Sequence, residues 1–134
     1  MIRRLPPMIL YAVCLHLCWG ILGLIDETTY FSTAPSALFR LFGPYTGVLC
    51  IMVGTAAAVG LCARMRPTSS LLCLIPQQIF LVISAVGAVH AMSAGQFADG
   101  IERSRYFIVG DQAPAVLAAF GHTWAMLRFL VREG

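Results

Sequence analysis

Four stretches of hydrocarbon length decide what this chain can become. Runs of about 17–25 apolar residues are long enough for a helix to cross a bilayer, and the sequence holds them at Met8–Ile25, Tyr45–Ala63, Leu71–Met92 and Ala113–Val131. A membrane core offers the backbone no water, so spanning segments satisfy their peptide groups internally as helices or closed barrels. The fold expected is all-α, a four-transmembrane-helix up-down bundle forming one integral membrane domain over residues 1–134. Composition agrees: 59% of residues are hydrophobic and 11% charged, against about a quarter charged in soluble domains.

The charges between the spans predict an orientation. Arg3 and Arg4, Arg64 and Arg66, and Arg128 and Arg132 fall on one side, and Arg40, Arg103 and Arg105 on the other. The second side also carries Asp26, Glu27, Asp99, Glu102 and Asp111. Arginine-rich segments stay in the cytoplasm, so both termini are expected on the cytoplasmic side. The opening "MIRRLPP" resembles a signal peptide, but its apolar run is long and the nearest small-x-small site, at Ser32–Ala34, lies well past it. The first span is therefore expected to be kept.

The connections are uneven. "TAPSALFRLFGP" offers Thr33 as an N-cap, Pro35 in a first turn and Gly43-Pro44 as a stop, with Leu38, Phe39, Leu41 and Phe42 on one side. This predicts a short interfacial helix in the first outer loop. "SAGQFADGIERSRYFIVGDQ" reads as a water-exposed loop, with Asp111-Gln112 before Pro114 as the start of the last helix.

Small residues mark the faces expected to meet. Cys50, Gly54, Ala58 and Cys62 recur every four residues in the second span, a pattern that lets helix backbones approach. Asp111, Ala115, Ala118, His122 and Ala125 share one side of the fourth span, opposite Leu117, Phe120, Trp124, Leu127 and Val131. In the first span His16, Gly20, Gly23 and Glu27 share a side, opposite Tyr11, Leu15, Trp19 and Leu22. His16 and His122 are thus expected to point inward near the midplane, with the first and fourth helices adjacent.

Polar groups inside a membrane are functional hypotheses by default. Four stand out as inward polar groups, His16, Gln77, Gln78 and His122, and an outer-face cluster comprises His90, Asp99, Glu102, Asp111 and Gln112. A haem held between His16 and His122 is one reading, a proton path another, and mutual or backbone hydrogen bonding a third. No cofactor is expected on balance. Pro76 before the glutamines predicts a kink, with the amides bonding the freed carbonyl or a neighbouring helix. Cys14, Cys18, Cys50, Cys62 and Cys73 lack a C-x-x-C pair and read as packing residues rather than a metal site. No hydrolase, zincin, P-loop or dinucleotide motif occurs, so an enzyme is not expected. A net charge of +3 spread along the chain makes no nucleic-acid footprint.

"LIPQQ" at Leu74–Gln78 and "QFADGIERSRYFIVGDQAPAVLAAFGHTWA" at Gln96–Ala125 resemble small four-span membrane proteins of bacteriophages that infect GC-rich actinobacteria. The absence of Lys and Asn fits such a host. The resemblance covers about the second half of the chain. It implies a non-enzymatic, self-associating membrane protein, some such proteins being holin candidates; an accessory subunit of a membrane complex is the alternative. The charged tail common in holins is reduced here to "VREG".

Overall fold

The computed structural model describes residues 7–26, 36–61, 64, 66–94 and 105–133. Among them the chain is all-helical: α1 (Pro7–Ile25), α2 (Ser36–Phe42), a 3₁₀ turn (Gly43–Tyr45), α3 (Thr46–Gly60), α4 (Pro67–Ala94) and α5 (Arg105–Glu133). Four helical segments are long and apolar enough to cross a membrane, Pro7–Ile25, Arg40–Gly60, Pro67–His90 and Ala113–Arg132.

One spacing organises the long helices. Buried positions alternate by three and four: Ser70, Leu74, Gln77, Leu81, Ser84 and Ala88 on α4, and Ala115, Ala118, His122, Ala125 and Phe129 on α5. Such rows keep one stripe of a 3.6-residue helix turned to its neighbours. The stripes meet in three apolar clusters. Trp19, Cys50, Phe80 and Ala115 share one, Ile9, Val13, Ala57, Leu74 and Ala125 another. Ala12, Leu81 and Ala118 form the third.

The α1–α3 contact is set by glycine. A side chain at Gly20 would strike the side chain of Ile51 and come within 2.8 Å of the Gly47 carbonyl, while one at Gly54 would lie 3.1 Å from Leu17. Gly20 thus faces Gly47 and Ile51 while Gly54 faces Leu17 and His16, so the order of contacts along α1 is reversed along α3. Gly23, Gly20, Cys50 and Gly54 are buried as their spacing predicts. Ala58 is not: it is exposed, and Ala57 takes the buried place. A strict four-residue row drifts by about 40° per step on a 3.6-residue helix, so a ridge begun at Cys50 has turned out of the interface by Ala58. Cys62 lies outside the described residues.

Trp19 also departs from expectation, being 5% exposed rather than turned outward. The α1 stripe is wider than its glycines imply, because this helix packs against both α3 and α5 and Trp19 lies next to Gly20 at its edge. Tyr11 and Leu22 do face outward.

Several boundaries move. α3 ends at Gly60, so its 15 residues cover about 22 Å, short of a hydrocarbon core of about 30 Å. The preceding turn and the end of α2 complete the Arg40–Gly60 span. α4 begins at Pro67, with proline in its first turn, and runs to Ala94. The largest change is α5, which begins at Arg105 and carries Pro114 in its interior. Asp111 and Gln112 therefore stand within a helix, not at its start. Hydropathy reports where a helix leaves lipid, not where its hydrogen bonding stops. Apolar Tyr106–Val109 continues the helix beyond the span.

The short α2 forms at Ser36–Phe42 but packs back onto α4. Leu38 is fully buried, and a side chain at Gly87 would meet Ala37 directly. Phe42 stacks on Phe80 with ring centres 5.4 Å apart. Gly43 alone among the described residues takes a left-handed φ, +56°, a conformation that a side chain disfavours. The bend is tied by Thr46, whose buried hydroxyl donates to the Gly43 carbonyl at 2.7 Å and has the Leu38 carbonyl at 3.3 Å. Thr33 and Pro35, the expected cap and first turn, lie outside the described residues.

Candidate functional site

Pro76 places two glutamines where they matter. A helical proline has no N–H for the carbonyl four residues back, and Pro76 sits inside α4 immediately before Gln77 and Gln78. Their amides do not turn back to mend that gap; they reach across to other helices. Gln77 is fully buried and touches both imidazoles. One end of its amide lies 3.2 Å from His16 Nδ1 and the other 3.0 Å from His122 Nε2.

The network continues outward. His122 Nδ1 lies 2.6 Å from Gln78 Oε1. Gln78 Nε2 donates to the Thr123 hydroxyl at 2.6 Å, and that hydroxyl donates to the Ala119 carbonyl at 2.7 Å. At the opposite end His16 Nδ1 is 3.1 Å from the Ala12 carbonyl, one turn back on α1. A hydrogen-bonded line thus crosses from α1 through α4 to α5, with both histidines at 0% exposure.

The surroundings are aromatic on one flank. Trp19 meets the His16 ring edge-on at 5.5 Å between centres, and Phe80 lies at 6.0 Å. His16 Nε2 is buried without a hydrogen-bond partner, in contrast to both nitrogens of His122. Sequence reading passes over Phe80 and sets Trp19 on the outward side, although Phe80 lies one turn beyond Gln77 and Trp19 one turn beyond His16, spacing that puts each pair on a common face.

The four inward polar residues therefore come together as one centre. His16 and His122 do not bond each other; they meet through Gln77. A haem shared by both rings would need a nitrogen of His122, and both are engaged, one by Gln77 and one by Gln78. Gly20, Gly23, Cys50, Gly54, Ala115, Ala118 and Ala125 form the close-packed walls around or beyond this centre. Of the outer cluster, His90 is exposed on α4, Asp111 and Gln112 lie within α5, and Asp99 and Glu102 lie outside the described residues. Cys14, Cys18, Cys50 and Cys73 are free thiols, and Cys50 is buried. Compared with known protein families, curated proteins and solved structures, the chain matches none.

Proposed function

We propose that this chain is a multi-pass protein of a bacterial cytoplasmic membrane, crossing it four times in up-down order with both termini inside. On this reading it acts without catalysis, by accumulating and associating in the bilayer as holins do until the membrane is breached. One observation carries the reading: the long helices turn bulky apolar side chains outward. Leu72, Ile79 and Val86 on α4 and Leu117, Phe120 and Val131 on α5 are all exposed, Phe120 at 74% and Val131 at 84%. Water does not tolerate so continuous an apolar surface, whereas lipid and neighbouring spans do. The resemblance to phage membrane proteins supplies the holin role itself. Gly20, Gly23, Cys50, Gly54, Ala115, Ala118 and Ala125 are buried within the chain, so self-association uses these outward faces.

Controlled expression in a bacterium tests the proposal. The expected course is normal growth followed by abrupt loss of membrane potential and arrest. Sustained growth with the protein abundant in the membrane overturns the lesion-forming reading and leaves the accessory-subunit alternative. A reporter fused after Gly134 is expected to be active in the cytoplasm.

A further inference from the structure

Donor and acceptor arithmetic along the buried network leads beyond that reading. A neutral imidazole has one donor and one acceptor nitrogen, an imidazolium has two donors, and an amide presents an acceptor at one end and donors at the other. The two ends of a glutamine amide have the same shape, so either orientation fits the same cavity.

Consider first Gln77 with its oxygen toward His122. That ring then stands between two acceptors, Gln77 Oε1 at 3.0 Å and Gln78 Oε1 at 2.6 Å. Both of its nitrogens must donate, so this arrangement holds the imidazolium. Gln77 Nε2 then points at His16 Nδ1 at 3.2 Å, which must accept. The Ala12 carbonyl, 3.1 Å from the same nitrogen, loses the ring N–H and keeps only its helical donor, and the proton of His16 moves to Nε2, where no partner exists.

Now reverse the amide. His16 Nδ1–H donates to the Ala12 carbonyl and to Gln77 oxygen. Gln77 nitrogen donates to a bare His122 Nε2, and His122 Nδ1–H donates to Gln78. Gln78 still donates to Thr123, and Thr123 to Ala119. Every contact in the line is satisfied with both rings neutral, and no other assignment of neutral rings achieves this.

We infer that the His16–Gln77–His122–Gln78 centre is a proton-binding site that takes one proton, on His122 Nε2, with reversal of the Gln77 amide. The balance is simple. One proton enters from solvent, the His122 Nε2 lone pair becomes N–H, and His16 exchanges Nδ1–H for Nε2–H with no net change. The cost falls on α1, whose bonds from His16 to Ala12 and to Gln77 are lost or reversed. Proton uptake therefore loosens α1 from the α4–α5 pair. Among the described residues the other titratable groups turned toward this centre are His16 from α1 and buried Cys50 from α3. α4 contributes Gln77, Gln78 and Ser84, and α2 contributes Leu38 and Phe42, none of which titrates near neutrality.

The test is nitrogen NMR of histidine-labelled protein in bilayers, in a His90→Gln background that removes the third histidine. Between about pH 8 and about pH 3, a range wide enough to reach buried imidazoles, the basic-side spectrum should show Nδ1–H tautomers on both rings. Acidification should then remove the bare-nitrogen signal of His122 and move the proton of His16 to Nε2 in the same step. Gln77→Glu, which only accepts, should hold His122 doubly protonated even at the basic end. Gln77→Met should leave His16 unchanged while His122 titrates, and Thr123→Val should titrate like the parent. An Nε2–H tautomer on His122 at the basic end, no protonation of His122 anywhere in the range, or independent titration of the two rings with Gln77 intact overturns the inference. Circular dichroism on each variant confirms that helices remain, and the outcome does not depend on whether expression arrests growth.

Discussion

The contact of α1 with α3 and the contact of α4 with α5 hold the same protein together by opposite means. The first is made by absence of side chains. Gly20 and Gly47 bring two backbones close enough that a carbonyl would lie 2.8 Å from an added carbon on Gly20. The second is made by polar side chains, with Gln77 and Gln78 of α4 on both nitrogens of His122. In the bilayer proposed for this chain, burial of apolar surface between helices drives little, since lipid is as apolar as leucine. What remains is close packing, used on one side, and hydrogen bonding, used on the other. α1 belongs to both, because His16 joins it to Gln77.

The contrast predicts unequal consequences. Gly20→Leu should be the most damaging change, because backbone atoms cannot move aside as a flexible side chain can. Overpacking of this kind costs roughly 1–3 kcal/mol and occasionally more. Thermal or denaturant unfolding in detergent should show loss of the folded state or a large drop in its midpoint. Gly54→Ala meets only the pliable Leu17 and the His16 Cβ, at 3.1 and 3.3 Å, and should cost far less. If the two glycines prove equally sensitive, the backbone-contact account is wrong.

Next comes Gln77→Leu, which strands a buried nitrogen of His122. Leaving a buried group unpaired costs about 1–3 kcal/mol, so a clear fall in stability is expected with the helical signal kept. Gln78→Leu should cost less, near the average of about 0.6 kcal/mol for hydrogen bonds between membrane helices, because Gln78 is only half-buried and lies at the surface end of the line. The smallest effect belongs to Ala58→Leu, within about 0.5 kcal/mol as for surface positions. Ala57→Leu, one residue away and fully buried, should be disruptive. Comparable losses at both alanines would return Ala58 to the interface.

These expectations also separate what the sequence makes legible from what it does not. The four apolar runs, the inward stripe of α5 and the inward turn of His16, Gln77 and His122 are legible in the sequence, because polar residues in apolar helices turn away from lipid. Their gathering into one centre is not, and neither are the partners. That Gln77 stands between the histidines depends on how far α1 and α5 are set apart, a tertiary distance with no local signature. Ala58 was misplaced because a four-residue repeat looks like a ridge in one dimension but spirals in three. Trp19 was misplaced because bulk was taken for lipid exposure, whereas an aromatic ring beside an imidazole has reason to be inside. Residues 105–112 were read as loop because glycine and charge were weighed over helical continuity, and Pro114 looked like a beginning.

The central claim is that Gln77 couples α1 to the α4–α5 pair through the two histidines. A double-mutant cycle on Gln77→Leu and His16→Leu, the pair that joins α4 to α1, measured by unfolding in detergent or bilayers, addresses it directly. Residues in one hydrogen-bonded network show coupling of about 0.5–3 kcal/mol, and a value of about 1 kcal/mol or more is expected here. Losses that simply add, within about 0.3 kcal/mol, would contradict the account.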